Sequence, residues 1–282
     1  MKSALSDFSE LKKRILTGFI GGSLVFFLLF WGGSIGVYSF TSLLVMGCLF
    51  EFNNMIFHLP DCFKKKIFLT FLALFCLGIN YLAPNKEFYL ISGSFLISAV
   101  YFLISAKQYQ GSDLQLHFRE WMYSIFGTVY CIFLPLFLVQ IYEFGMQWLI
   151  LFFLTVWGGD TLAYFIGKYY GRQKLYIQIS PKKTYEGALG NLVGSILIIL
   201  LLKALWFKEQ SWIKFIGIGV LVNLTAQIGD LCESFLKRCF AKKDSGNIFP
   251  GHGGFLDRFD SIILSSPMMY FLIQFLSEER LN

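Results

Sequence analysis

Residues 146–168, MQWLILFFLTVWGGDTLAYFIGK, form a long apolar run in which Asp160 and Lys168 are the only charged side chains. The hydrocarbon core of a bilayer is about 30 Å thick, and a helix of about 20 mostly apolar residues is long enough to cross it. This run has the required length. It therefore predicts a helix that spans a membrane.

Similar apolar windows recur along the chain, and together they set the fold class. The 282 residues are 56% hydrophobic and 15% charged, whereas a soluble domain is usually about 25% charged. This composition argues against a water-soluble fold. We predict an all-α, polytopic transmembrane helical bundle of about nine spans. The predicted spans are residues 15–33, 35–57, 67–84, 88–106, 121–142, 146–168, 186–206, 211–235 and 259–277.

Basic side chains are distributed unevenly between the two sides of this predicted bundle. If the N-terminus is cytoplasmic, 19 of the 24 Lys and Arg residues lie on the cytoplasmic side. Because cytoplasmic loops carry an excess of basic residues, we predict the N-terminus inside and the C-terminus outside. The net charge of +6 then needs no nucleic-acid partner. We also expect the first span to be retained and not cleaved as a signal peptide.

Ionisable residues divide the chain into two predicted domains. Spans one to five contain few of them, so residues 1–142 are predicted to form a membrane scaffold. Residues 143–282, with spans six to nine and their cytoplasmic loops, are predicted to form a catalytic membrane domain. Glu51, near the inner end of span two, is the exception. It fits either an interfacial side chain that reaches water or a functional residue.

The first polar cluster begins in span six and continues into the loop that follows it. Four residues share one helix face, because they are spaced i, i+3, i+4 and i+7. The loop sequence SPKKTYEG places lysines and hydroxyls just ahead of a helix start, which suits phosphate binding. A second interpretation stays open, in which the loop only caps span seven and the lysines reflect membrane orientation. The residues of the cluster are Asp160, Ala163, Tyr164 and Gly167 on the helix, and Ser180, Lys182, Lys183 and Thr184 in the loop.

The second polar cluster covers residues 230–260. Asp230, Ser234, Lys237 and Arg238 fall on one helical stripe. After them, the sequence PGHGG at 250–254 can expose backbone N–H groups and form an anion cradle. The last span then opens with Asp257, Arg258 and Asp260. Each member has a structural alternative, since acids are favoured in the first turn of a helix and glycines are common in turns.

The two clusters share a chemistry. Carboxylates that can hold Mg²⁺, several Lys and Arg side chains and a glycine turn are what a polyphosphate substrate requires. The phosphate-binding motif G-x-x-x-x-G-K-[ST] does not occur in the sequence. His252 lacks the neighbours of a metal site, so we predict that it makes hydrogen bonds within the loop.

These motifs resemble the signature of the phosphatidate cytidylyltransferases, also called CDP-diacylglycerol synthases. The similarity is carried by Ser234-x-x-Lys237-Arg238, Lys243-Asp244-Ser245-Gly246 and Pro250-Gly251-His252-Gly253-Gly254-x-x-Asp257-Arg258-x-Asp260. The stretches Asp160-x-x-Ala163-Tyr164-x-x-Gly167-Lys168 and Ser180-Pro181-x-Lys183-Thr184-x-Glu186-Gly187 are also similar to that family, so the resemblance covers about residues 155–261.

The resemblance implies transfer of the cytidylyl group of CTP to phosphatidic acid, giving CDP-diacylglycerol and pyrophosphate with Mg²⁺ (magnesium) as cofactor. It implies Asp230 and Asp257 as metal ligands, with Asp160 and Asp260 as further candidates. The expected partners are CTP, phosphatidic acid and the bilayer, and a homodimer stays open. The remaining expected catalytic residues are Lys237, Arg238, Lys243 and Asp244, and the expected substrate-binding residues are Ser180, Lys182, Lys183, Thr184, Ser234, Gly251, His252, Gly253, Gly254 and Arg258.

Two other functions remain as alternatives. A CTP-dependent polyprenol or phytol kinase would use similar acids and lysines but would transfer the γ-phosphoryl group. A transporter would place polar residues through the membrane centre. Here the polar residues are predicted to cluster on the cytoplasmic side, which argues against transport.

Overall fold

The structure is a computed structural model of the chain. It describes residues 23, 25, 27–29, 31–57, 62–83, 86–246, 248 and 253–278. Most of these residues are helical, so the predicted all-α class is confirmed. Residues 15–22 of the first predicted span lie outside the described residues, whereas residues 27–29 are helical.

The helices in chain order are α1 (Gly33–Ile56), α2 (Phe63–Leu82), α3 (Glu87–Ala106), α4 (Gly111–Gly127), α5 (Leu134–Glu143), α6 (Met146–Tyr169), α7 (Tyr185–Trp206), α8 (Trp212–Cys239) and α9 (Leu256–Glu278). A π-helical turn, Thr128–Phe133, joins α4 to α5, so that Gly111–Glu143 forms one continuous span. It lies just before Pro135, which lacks the N–H that a regular helix would use at that position.

Eight helical spans among the described residues are long and apolar enough to cross a membrane. They correspond to predicted spans two to nine. Many of their large apolar side chains are exposed, for example Phe71 at 67% and Leu103 at 66%. An apolar surface of this extent would be unstable in water but matches the acyl chains of a bilayer.

The chain folds into two compact units. Unit 1 consists of Met1–Leu136 and Asp244–Leu256, and unit 2 of Phe137–Lys243 and Asp257–Asn282. The described residues of 244–256 thus belong to the same compact unit as the N-terminal helices. The division of roles between a scaffold (1–142) and a catalytic domain (143–282) stays a prediction.

Glycines set the distance between α6 and α7 in unit 2. A Cβ on Gly194 would lie 3.0 Å from the carbonyl oxygen of Gly158 and 3.1 Å from the Cα of Gly159. A Cβ on Gly187 would lie 3.3 Å from the carbonyl oxygen of Ala163. Small residues allow helices to approach closely where lipid supplies no hydrophobic force between them. The close approach brings the polar residues of α6 and α7 into contact.

The loop after α6 contains an element that the helical pattern did not predict. Lys174–Tyr176 (β1) and Ser180–Thr184 (β2) pair as an antiparallel hairpin. Glu186, in the first turn of α7, accepts a hydrogen bond from the Arg172 N–H at 3.0 Å. The N–H of Tyr185 donates to the carbonyl oxygen of Gln173 at 3.0 Å. These bonds attach the hairpin to the start of α7.

Candidate active site

A cavity of about 430 Å³ lined by several charged side chains lies in unit 2, among α6, the hairpin, α7 and α8. This volume is within the range of small-molecule sites, about 300–1,000 Å³. The predicted face of α6 is confirmed, since all four of its residues line the cavity. They are Asp160, Ala163, Tyr164 and Gly167.

The hairpin supplies the basic side of this cavity. Lys182 and Lys183, on β2, both contribute to its lining. The Lys183 Nζ lies 2.5 Å from Asp230 Oδ2 on α8, and the two side chains are 25% and 35% exposed. Thr184 is the N-cap of α7 and accepts a hydrogen bond from the Gly187 N–H at 3.1 Å. Thr184 therefore acts as a cap, but Lys183 does more than indicate membrane orientation.

A chain of amide side chains fixes the acidic side of the cavity. Asn191 Nδ2 donates to Asp160 Oδ1 at 3.0 Å, and Asn223 Nδ2 donates to Asn191 Oδ1 at 2.6 Å. Gln227 Nε2 then donates to Asn223 Oδ1 at 2.6 Å. We did not predict these three residues from the sequence. Their position at membrane depth, where polar groups are costly, was the available signal.

A second group of acids forms where α8 and α9 meet. A Cβ on Gly229 would lie 2.7 Å from the carbonyl oxygen of Asp260, so only a glycine permits this approach. Asp260 is buried there, with the carboxyl groups of Asp230 and Glu233 close enough to interact with it electrostatically. The predicted neighbours on α8 and α9 are thus brought together. Glu233 was not among the predicted residues.

Lys237 on α8 bridges the carboxylates of Glu233 and Asp257. Its Nζ lies 2.6 Å from Glu233 Oε2 and 2.6 Å from Asp257 Oδ1. The sequence pattern placed the acid Asp230 and the cation Lys237 on the same helical stripe of α8. The structure assigns them different partners, because Asp230 pairs with Lys183 and Lys237 pairs with Glu233 and Asp257. A regular helix favours the i, i+4 pair Glu233–Lys237 over the longer separation from Asp230.

The other predicted site residues of unit 2 lie outside the cavity lining. Arg238 is exposed and donates from Nε to the carbonyl oxygen of Ile179 at 3.2 Å, which links α8 to the hairpin. Ser234 is buried on α8, and Lys243 and Arg258 are exposed. Ser180 is the first residue of β2 and is partly exposed.

Gly253 and Gly254, the described residues of the predicted glycine turn, belong to unit 1. Gly253 has φ +84°, a conformation that a residue with a side chain rarely adopts, and Gly254 is buried. Asp244 is exposed. The predicted residues Gly251 and His252 lie outside the described residues.

Unit 2 contains the four carboxylates that were predicted as metal ligands, namely Asp160, Asp230, Asp257 and Asp260. Within the described residues, no three His, Cys, Asp or Glu side chains converge as a ready metal site. However, Asp160 and Asp260 are each close enough to Asp230 for the charges to repel. Mg²⁺ prefers carboxylate oxygens, and an added cation would reduce this repulsion.

A sequence model of the cytidylyltransferase family matches residues 12–276. The chain belongs to this family. The match to the cytidylyltransferase family model covers α1 to α8 and most of α9. It therefore extends well beyond the motifs at residues 155–261.

Curated relatives of this cytidylyltransferase-family chain include three bacterial proteins named phosphatidate cytidylyltransferase. The protein of Bacillus subtilis is 39% identical over 135 residues, which are 48% of this chain and 50% of the relative. That of Staphylococcus aureus (strain COL) is 45% identical over 130 residues, 46% of this chain and 50% of the relative. That of Staphylococcus saprophyticus is 36% identical over 185 residues, 65% of this chain and 68% of the relative. The chain thus spans about half the length of the first two relatives.

Proposed function

We propose that the protein transfers the cytidylyl group of CTP to phosphatidic acid, giving CDP-diacylglycerol and pyrophosphate. The observation that carries the proposal is the cavity of unit 2, which is lined by Asp160, Lys183 and Asp230 and in which Lys183 pairs with Asp230. Family membership and the names of the three relatives support the choice of reaction.

The proposed reaction needs orientation and charge more than proton transfer. A phosphate oxygen of phosphatidic acid attacks the α-phosphorus of CTP, and the bond from that phosphorus to the bridging oxygen of the pyrophosphate breaks. The second pKa of a phosphate monoester is about 6, so the attacking phosphate is mostly a dianion at neutral pH. No general base is then required. Side chains that hold the two phosphates in line supply most of the catalysis.

The basic residues of unit 2 are the proposed phosphate-binding groups. Lys182 and Lys183 line the cavity, and Arg238 extends the basic surface at the hairpin. Charged donors form the stronger hydrogen bonds to phosphate oxygens. Asp230 holds the ammonium of Lys183 in place. The glycine turn of unit 1 is proposed to bind phosphate through its backbone N–H groups.

Mg²⁺ is part of the proposal. Asp230 and Asp257 would hold it, with Asp160 and Asp260 as further ligands near Asp230. When bound, the ion would neutralise negative charge on the departing pyrophosphate. The residues of the chain would position the substrates, and Lys183 and Lys237 would orient Asp230 and Asp257.

The reaction can be tested with purified protein, phosphatidic acid and CTP labelled at its α-phosphate. We expect the label in CDP-diacylglycerol and an equal amount of pyrophosphate. A CTP-dependent lipid kinase would instead release labelled CDP and leave the lipid unlabelled. Failure to label the lipid in the presence of Mg²⁺ would contradict the proposal.

Lys183→Ala is expected to lower kcat/KM by about tenfold or more, because a hydrogen bond from a charged donor to substrate is lost. Steady-state kinetics with CTP and phosphatidic acid varied in turn would show which substrate the lysine contacts. Lys174→Ala is the matched control, since Lys174 is exposed on β1 and outside the cavity lining. Unchanged constants for both substrates would remove Lys183 from the site.

We further propose that the hairpin and the segment after α8 face the cytoplasm, as the distribution of basic residues indicates. Single cysteines replacing Lys174 and Lys243, in a variant without the six natural cysteines, are expected to resist an impermeant thiol reagent in intact cells. They should react once the membrane is opened. A cysteine replacing the exposed Lys208, between α7 and α8, should react from outside. The reverse pattern would invert the topology.

A further inference from the structure

A buried carboxylate in unit 1 holds the segment that carries the glycine turn. Glu51, near the end of α1, is only 2% exposed. Its Oε2 accepts a hydrogen bond from Ser245 Oγ at 2.8 Å and another from the Leu256 N–H at 3.0 Å. Ser245 and Leu256 lie on either side of the turn. One oxygen atom therefore fixes both ends of the segment.

Two glycines make room for this carboxylate. A Cβ on Gly246 or on Gly254 would overlap the carboxylate of Glu51. The Cδ of Glu51 would be 2.6 Å from the Cβ on Gly246. The backbone at Gly246 and at Gly254 thus packs directly against the carboxylate, and a larger residue at either position would displace it. These glycines serve packing in addition to any contact with substrate.

The negative charge of Glu51 also lies next to backbone N–H groups of the segment that carry partial positive charge. Leu256 is the first residue of α9, and the N–H groups at a helix N-terminus carry partial positive charge. A carboxylate that accepts a hydrogen bond there is stabilised, which offsets part of the cost of burying it. Asp257 and Arg258 follow Leu256 directly in the chain. Holding Leu256 in place therefore also restrains the backbone from which Asp257 and Arg258 follow.

We infer that Glu51 is a positioning residue that holds Ser245, Gly254 and Leu256, and with Leu256 the start of α9, in the geometry that substrate binding requires. It acts through its hydrogen bonds to Ser245 and Leu256. The catalytic consequence rests on the proposed function. The contact itself can be tested without it.

The first measurement is hydrogen exchange at the Leu256 amide in full-length protein in detergent. We expect Glu51→Ala to accelerate this exchange by about tenfold, because the amide loses its acceptor. Glu51→Gln keeps one side-chain oxygen as an acceptor, so its exchange should stay within about threefold of wild type. Glu120→Gln is the matched control. Glu120 is a buried acid of the same unit, and its partners are Lys65 and Cys62.

The second measurement separates KM from kcat. A variant that is merely less stable lowers the active fraction, which reduces apparent kcat and leaves KM unchanged. Glu51→Ala is instead expected to raise the KM for one substrate by about tenfold, with rescue in Glu51→Gln. Gly246→Ala should raise the same KM although Glu51 is present. Gly78→Ala, where the added Cβ meets no atom within 4 Å, should not.

The outcomes are distinguishable. Leu256 exchange in Glu51→Ala that equals wild type would overturn the inference, whatever the activity. Faster exchange with an unchanged KM would also overturn it, because the contact would then be structural only. If wild-type protein makes no CDP-diacylglycerol, the proposed function fails, while the exchange result still decides whether Glu51 holds the segment.

Discussion

Asp230→Asn is expected to lower kcat by about a hundredfold or more while the protein still inserts and folds. Asparagine keeps the size of the side chain and one oxygen but removes the charge. That charge holds the ammonium of Lys183 at 2.5 Å and lies beside Asp160 and Asp260. Asp257→Asn is expected to have a similar effect, since Asp257 holds Lys237 at 2.6 Å and is the second proposed ligand of Mg²⁺.

Folding should survive Asp230→Asn because the pair it breaks is partly solvated. Lys183 and Asp230 are 25% and 35% exposed, and pairs of this kind contribute at most about 1 kcal/mol. Turnover measured over a range of Mg²⁺ concentrations would test the effect, and raised Mg²⁺ should restore part of it if the carboxylate is a ligand. Asp113→Asn, at an exposed acid in the first turn of α4, is the control. Near wild-type turnover at ordinary Mg²⁺ would show that the substituted carboxylate is not a ligand.

Lys237→Met is expected to have the largest effect on stability. Lys237 lies between Glu233 and Asp257, whose side chains are 1% and 10% exposed. Removing the cation leaves two buried carboxylates without its charge. Breaking a buried ion pair in this way typically costs about 3–5 kcal/mol. The midpoint of thermal unfolding in detergent should therefore fall clearly, and activity should be lost.

A double variant separates stability from function at this site. In Glu233→Gln with Lys237→Met, the buried charge of Glu233 is removed together with its cation, so much of the lost stability should return. Activity should not return, because Asp257 still lacks the lysine that orients it. Lys174→Met, at an exposed position on β1, is the matched control for the loss of a lysine. An unfolding midpoint equal to wild type in Lys237→Met would mean that the bridge contributes nothing to stability.

The helix boundaries, the shared helix face and the helix cap could be predicted from the sequence, because each depends on residues close together in the chain. The apolar windows located predicted spans two to nine, since a helix must be long enough to cross the bilayer. The spacing of Asp160, Ala163, Tyr164 and Gly167 predicted a shared face, and all four residues line the cavity. The cap at Thr184 was also foreseeable, because capping depends on residues only three positions apart.

The partners of the charged residues could not be predicted in the same way. The pairs Lys183–Asp230 and Lys237–Asp257 join residues on different elements, and the stripe on α8 did not identify the partners of Lys237. The amides Asn191, Asn223 and Gln227 were missed because their role appears only when α6, α7 and α8 are packed together.

The sequence by itself determined the fold class, the spans and the motifs that place the chain in its family. These follow from hydrophobicity, helical period and short spacings, which act within a few turns of the chain. Only the tertiary structure decided that Glu51 contacts Ser245, 194 positions away, and that Gly229 brings α8 against α9. In a bilayer every helix is apolar enough to face lipid, so hydrophobicity does not specify which helices meet. Close packing at small residues and hydrogen bonds between polar side chains make that choice, and both depend on the fully assembled fold.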